Sequence, residues 1–436
     1  PPAPHLALPC LDSNSHVLAA DAGGPRPCPP AHRRRRRQDA TDVFMAMHPP
    51  EIRQRISPCL VGPLVDDSPR EIDVEWRNLV EELEKGDLFS RSQRDSYYGF
   101  LALRFAAMFA VVCLGVLGSS SYAVHLLSAA LLGFTWQQMA FVGHDAGHNS
   151  VVGWSVKSHE ILGTLAGNVF TGISMGWWKA THHVHHSVCN STTHDPDIQH
   201  MPLIAVTPKL FNVYSLYHFR QFPYDAFTRA MVSLQYYTFI PIMGVARLNL
   251  YAQGIIRLVK ERRTIPARIQ ALEWGGLALF ALWYSSFVRL LPPGHRLPFV
   301  LVAWFTTGLL HLQIVSSHFS RSTFAGQPGQ KSWFELQLDG TLDMTCAPEF
   351  DWFHGGLQFQ IEHHLFPRVP RYNLRKLKPI VQAFAKRHNV EYHEVSFTAA
   401  IREVMDTLHR TAQIARKTDH VNFSESLIWQ AANLEG

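Results

Sequence analysis

Two apolar runs, FLALRFAAMFAVVCLGVLG at 100–118 and YAVHLLSAALLGFTWQQMAFVG at 122–143, are separated by only three residues. Each is long enough to cross a hydrocarbon core, which takes about 20 residues of helix. The short connection makes them a helical hairpin. A second pair follows at 271–291 and 297–317, joined by a Pro-Gly turn. Two weaker apolar stretches, 159–176 and 231–246, are short and interrupted by polar residues, and are read as interfacial. Four spans return the chain to its starting side. The segment 247–268 carries Arg247, Arg257, Lys260, Arg262, Arg263 and Arg268, whereas the hairpin turns carry almost no positive charge. The positive-inside rule therefore puts both termini and the long middle loop in the cytosol.

Outside the spans the chain is ordinary. The 436 residues have a mean hydropathy of -0.05 because charged flanks offset the apolar runs. Residues 1–38 are rich in Pro, Ala, Gly and Arg and read as disordered or mis-joined, and the chain opens on Pro1 with no signal peptide. VEWRNLVEELEKGDLF at 74–89 has the period of a short amphipathic helix. The net charge of +5 is mild, and RRRRR at 33–37 reads as a solvated basic run, so no nucleic-acid partner is expected. The cysteines (Cys10, Cys28, Cys59, Cys113, Cys189, Cys346) are scattered with no C-x-x-C pair, which argues against a disulfide framework or a thiolate zinc site.

Histidine is the anomaly, with 25 copies. WWKATHHVHHSVCN at 177–190 crowds His182, His183, His185 and His186 into five positions. Crowded imidazoles repel once protonated, and a shared metal removes that cost by binding each ring neutral. A solvated patch is the alternative for one isolated cluster. His144 and His148 lie at i, i+4 at the cytosolic end of the second span, and His182, His185 and His186 at i, i+3, i+4. Gln360, His363 and His364 repeat that spacing, and His318 follows the fourth span. Each group shares a helix face, and all fall on one side of the membrane. That coincidence favours a metal site. A nitrogen-rich, carboxylate-poor set suits iron, zinc or copper. Eight imidazoles exceed one ion and imply two. Zinc sites usually need only three protein ligands, whereas two irons with open positions can bind and cleave dioxygen while the spans hold a lipid chain.

These residues resemble the membrane fatty-acid desaturase family with its three histidine boxes, from about Asp39 to the C-terminus. WFHGGLQFQIEHHLFPRVPRYNL at 352–374 has glutamine at the first position of the third box, a pattern characteristic of front-end and sphingolipid desaturases. HDPDIQHMP at 194–202 is similar to the fungal sphingolipid Δ8 members. The resemblance implies an all-α integral membrane fold, four transmembrane helices in two hairpins with a cytosolic helical cap holding a di-iron site. The iron ligands it implies are His144, His148, His182, His185, His186, His318, His363 and His364, with Gln360 near or on the metal and these nine residues forming the catalytic set. His183 departs from the usual asparagine and is left out. His311 reads as a packed or gating residue, and His194 and His354 as outer supports of the ligands. Asp145, Asp195, Asp197 and Glu362 could accept the outer N–H of ligand rings or serve as caps and turn residues.

The resemblance also implies cytochrome b5 and its reductase as electron donors, dioxygen as co-substrate and the endoplasmic reticulum membrane as location. DATDVFMAMHP at 39–49 is similar to the end of a cytochrome b5 domain, with His48 matching its second haem ligand. The expected H-P-G-G partner is missing from AADAGGPRPCPP at 19–30, so haem is not expected in this chain. Three segments are therefore expected: 1–38, a cytochrome b5-like remnant with linker at 39–95, and a desaturase domain at 96–436. The expected reaction is O2-dependent desaturation at the Δ8 position of a ceramide's long-chain base, with Trp177, Trp178 and Lys179 either contacting the headgroup or anchoring the membrane. The alternatives are a front-end Δ5 or Δ6 acyl desaturase, a lipid hydroxylase, or a non-catalytic lipid-binding paralogue.

Overall fold

The computed structural model describes residues 40–50, 52, 69–151, 153–326 and 331–419. The basic run at 33–37 and the stretch at 19–30 lie outside the described residues. What is described is mostly helical. The first helix, α1 (Thr41–Met47), is followed by the amphipathic α2 (Glu71–Lys85). Then come α3 (Arg94–Gly118), α4 (Tyr122–Gly147) and α5 (Val156–Gly163), which runs on into a π-helical segment at Thr164–Thr171. The middle of the chain contributes α6 (Met175–Ser187), α7 (Ala226–Val245), α8 (Arg247–Lys260), α9 (Ala267–Arg289) and α10 (Pro293–Ser316). The C-terminal part adds α11 (Trp333–Gly340), α12 (Asp351–His354), α13 (Gln360–Leu365), α14 (Arg371–Arg387) and α15 (Phe397–Lys417). Strands are few. Tyr214–Ser215 (β1) pairs antiparallel with Arg220–Gln221 (β2), and Asp343–Thr345 (β3) pairs parallel with Glu394–Ser396 (β4) in the register Met344 to Val395.

Among the described residues α3, α4 and α10 are each long and apolar enough to cross a membrane. The pair α7 and α8, bent by 64° at Ala246, makes a fourth if it is one span. This fourth candidate is not the stretch at 271–291 picked from sequence. That stretch is helical, as α9, but its cytosolic end carries Arg268 and the buried Glu273, and it falls short of the apolarity of the other three. Conversely, the run at 231–246 read as interfacial is most of the first arm of the bent pair, with Pro241 inside it.

The spans pack through small residues, as membrane helices do when dispersion has to replace hydrophobic burial. A Cβ on Gly133 of α4 would come within 2.2 Å of the Ala303 carbonyl of α10, and Thr307 Oγ1 donates to the Gly133 carbonyl at 3.1 Å. Leu103, Leu114 and Leu117 of α3 face outward and are exposed. At the hairpin-turn end His125 Nδ1 lies 2.8 Å from His295 Nδ1, tying the start of α4 to the start of α10. The cap at the other end has its own apolar core. Trp76 of α2 sits 4.8 Å from Phe334, 5.2 Å from Phe366 and 5.4 Å from Phe384, ring centre to ring centre. This aromatic knot fastens α2 and α14 over the back of α13, which bears the third histidine box.

Candidate metal centre

Four separate elements carry the histidines to one place. His144 is in the last turn of α4 and His148 is its C-cap, with ring centres 4.7 Å apart. The next box starts with α6, whose N-terminus is held from outside. Ser174 caps it by accepting from Trp177 N at 3.0 Å, and Glu273 of α9 accepts from Gly176 N at 2.9 Å and from Asn168 Nδ2 at 3.0 Å. A buried carboxylate at a helix N-terminus suits both the unpaired N–H groups and the helix dipole. Glu273 therefore fixes where α6 begins, and with it the face bearing His182, His185 and His186. His318 follows α10, and α13 supplies His363 and His364.

The eight fall into two clusters. His144, His148, His182, His186 and His363 each offer a ring nitrogen within 4.8 Å of the others. His185, His318 and His364 form a second group at the same limit, joined by Cys189. In the first, His186 Nε2 lies 3.1 Å from both His182 Nε2 and His363 Nε2. Two ligand nitrogens about 2.1 Å from a common ion sit roughly 3.0–3.4 Å apart. Nitrogens of that spacing, with buried, unpartnered Nε2 atoms on His144, His148 and His364, fit metal ions better than a hydrogen-bonded network. Burial, reinforced by neighbouring imidazoles, holds His182, His186, His363 and His364 well below the ordinary histidine range, so these rings are neutral donors at pH 7. His185 differs: burial pulls it down, but Asp195 and Asp197 outweigh that and raise it to about 9.

The outer partners are specific. His185 Nδ1 donates to Asp195 Oδ2 at 2.8 Å, and the same oxygen accepts from Asn190 N at 2.6 Å. His318 Nδ1 donates to the Gly340 carbonyl at 3.1 Å, and His364 Nδ1 to Gln337 Oε1 at 2.9 Å. Asp197 Oδ2 is 3.4 Å from His182 Nδ1. Asp145 and Glu362 take no such place. Asp145 accepts from Tyr98 Oη and pairs with Arg371, each at 2.8 Å, while Glu362 accepts from Tyr392 Oη at 2.8 Å. The same hydroxyl reaches Asp343 Oδ2 at 2.6 Å, and Asp343 Oδ1 accepts from Ile361 N at 3.0 Å, which fixes α13 from behind. Gln360 sits at the second cluster, Nε2 3.1 Å from His318 Nε2 and Oε1 buried without a partner.

The remaining singled-out residues lie elsewhere. His183 belongs to neither cluster, its ring 5.7 Å from that of His148. His311 bridges two helices by donating to the Met243 carbonyl at 2.8 Å. His194 bonds Thr193 in its own loop, and His354 lies against Gln313. Trp178 is a wall of the first cluster, stacked on His182 at 4.4 Å. Its ring leaves no room for a Cβ on Gly147. Trp177 and Lys179 flank it on α6. His48 Nδ1 bonds the Phe44 carbonyl and its ring stacks on Phe44 at 4.2 Å. Sequence reasoning missed Gln337, Glu273 and Cys189. For Cys189 the signal existed, since it follows His185 at i+4.

Comparison with known proteins agrees with this geometry. The fatty acid desaturase family profile matches residues 120–396. An acyl-lipid (9-3)-desaturase of Borago officinalis is 41% identical over 403 residues, covering 92% of this chain and 88% of the relative. A delta(8)-fatty-acid desaturase of Helianthus annuus is 41% identical over 407 residues, 92% of this chain and 86% of the relative. A delta 8-(E)-sphingolipid desaturase of Komagataella phaffii is 38% identical over 290 residues, 65% of this chain and 53% of the relative. With histidine clusters suited to metal at the ends of membrane helices, and relatives matched over nearly its whole length, this chain belongs to the fatty acid desaturase family and is a membrane lipid desaturase.

Proposed function

We propose that the chain is a di-iron enzyme that places a Δ8 double bond in the sphingoid base of ceramide or glucosylceramide. The observation that carries the metal part is the pair of clusters, with five imidazoles in one and three in the other. Their nearly carboxylate-free character suits iron, which with dioxygen supplies the oxidising power to remove two hydrogens from neighbouring methylenes. Overall, CH2–CH2, O2, two electrons and two protons give CH=CH and two waters. The chain's own residues do the positioning. Asp195, Gln337 and the Gly340 carbonyl orient the rings of the second cluster, and Gln360 stands beside His318 with one amide atom unspent. Trp178 walls one side of the first cluster by stacking on His182.

The substrate assignment rests on Gln360 in the third box and on relatives named for Δ8 desaturation in a sunflower and a yeast. We place the enzyme in the endoplasmic reticulum, with cytochrome b5 and its reductase supplying electrons. Residues 39–95 are proposed as the end of a cytochrome b5-like unit with its linker, and 96–436 as the catalytic domain. The second reading, a front-end acyl desaturase, draws support from the Borago officinalis acyl-lipid relative. Expression in a yeast lacking Δ8-unsaturated long-chain bases separates the two. A new Δ8 long-chain base, absent with His363→Ala, supports the proposal; new double bonds confined to acyl chains refute it.

A further inference from the structure

Arg104 lies inside α3, one of the candidate spans, and its position is unusual. Its Nη2 donates to Gln138 Oε1 of α4 at 2.7 Å, which aims the guanidinium along the α3–α4 seam. The Cζ atom stands 5.5 Å from the ring of Trp352 and 5.6 Å from that of Phe105. Nε is buried with no hydrogen-bond partner, and Nη1 makes no protein hydrogen bond among the described residues. Ionisable residues in a span almost always pair with one another or with backbone carbonyls, yet the titratable groups facing Arg104 are the Tyr97 phenol and a second cation, Arg371. Arg371 is buried, its own charge met by Asp145 at 2.8 Å, and its Nε is also unpartnered. Asp145 is spent on Arg371, so among the described residues the charge of Arg104 has no acid paired with it.

The surroundings fix the depth. Trp352 and Phe350, on and beside the short helix α12, are 45% and 58% exposed. Exposed aromatic rings of this kind mark the headgroup level, and a long cationic side chain rooted deeper in the span reaches up to it. We propose that Arg104 is a binding site for the phosphate of an anionic phospholipid in the cytosolic leaflet, with Trp352 and Phe350 flanking the headgroup. The guanidinium offers a planar fork that matches phosphate oxygens. A neutral lipid such as ceramide leaves the charge unmet, so the site is separate from the reaction and does not depend on which chain is desaturated.

The test uses the full chain purified in detergent and native mass spectrometry of bound lipid. The probes are phosphatidate, diacylglycerol with the same acyl chains, and inorganic phosphate. One basic side chain at the interface is worth about a fivefold preference, so phosphatidate should bind about fivefold more tightly than diacylglycerol. Arg104→Gln should remove that preference, and millimolar inorganic phosphate should not compete. Equal binding of the two lipids to the unaltered protein overturns the proposal. So does a preference that survives Arg104→Gln, or full displacement by inorganic phosphate. A second measurement guards against a variant that fails to fold. Phosphatidate spin-labelled high on its chain should quench tryptophan emission in the unaltered protein more than in Trp352→Phe, and equal quenching places the lipid elsewhere.

Discussion

The two histidine clusters are built on opposite plans. In the group of His185, His318 and His364, every Nδ1 donates to a fixed acceptor: a carboxylate, a backbone carbonyl and a side-chain amide. Those bonds set the tautomer and aim each Nε2 before any ion arrives. In the group of five, His186 Nδ1 is buried with no partner and His182 reaches Asp197 only at 3.4 Å. Its rings are positioned by one another and by Trp178. One site is preorganised by hydrogen bonds, the other by packing, so the first five rings depend more on the ion itself.

The largest test of this contrast removes one ring from each. His186→Ala and His364→Ala should both abolish desaturation. Metal analysis should differ, with the first variant keeping an ion in the preorganised cluster and the second keeping one in the packed cluster. Loss of both ions in both variants would mean that the clusters form one cooperative site. Next, Asp195→Asn should weaken metal binding by about 10–100-fold, the usual cost of an outer partner, whereas Asp197→Asn should cost much less. Similar losses would remove the distinction between a 2.8 Å and a 3.4 Å support. A smaller effect is expected further out. Tyr392→Phe deletes the hydroxyl shared by Asp343 and Glu362 and should lower stability by about 1–3 kcal/mol, read by thermal unfolding with and without metal.

The smallest effect is on pH. Without metal, the depressed histidines destabilise the fold as pH drops below about 6.5, where the unfolded chain takes up protons that the folded one refuses. His185 works the other way: its contribution is present below about 6.5 and lost as pH rises through about 9. Metal-free protein should therefore lose stability chiefly on the acid side, since depressed rings outnumber the one raised. Equal stability at pH 5 and pH 7.5, by denaturant titration, would show that the rings are already solvated when the metal leaves.

The boxes were legible in sequence because helical spacing of i, i+3, i+4 is a local property, and each box occupies one helix or its cap. The spans were legible where apolarity was continuous, at α3, α4 and α10. The bent pair was not, because Pro241 and the break at Ala246 interrupt the pattern that identifies a span. Partners far apart in the chain left no mark. Asp145 is open in sequence to two readings, a ring acceptor or a cap or turn residue, yet Arg371 claims it across 226 positions. Glu273 lies in what reads as an apolar helix, and nothing nearby in sequence shows that it caps α6.

The parallel pairing of β3 with β4 carries a consequence for biosynthesis. It ties Met344 to Val395, and Asp343 beside it braces the helix that bears His363 and His364. That pairing forms only once residues near 395 have left the ribosome, long after α4 has entered the membrane. A chain halted before that strand would carry the third box, on α13, without the sheet that holds Asp343 beside it.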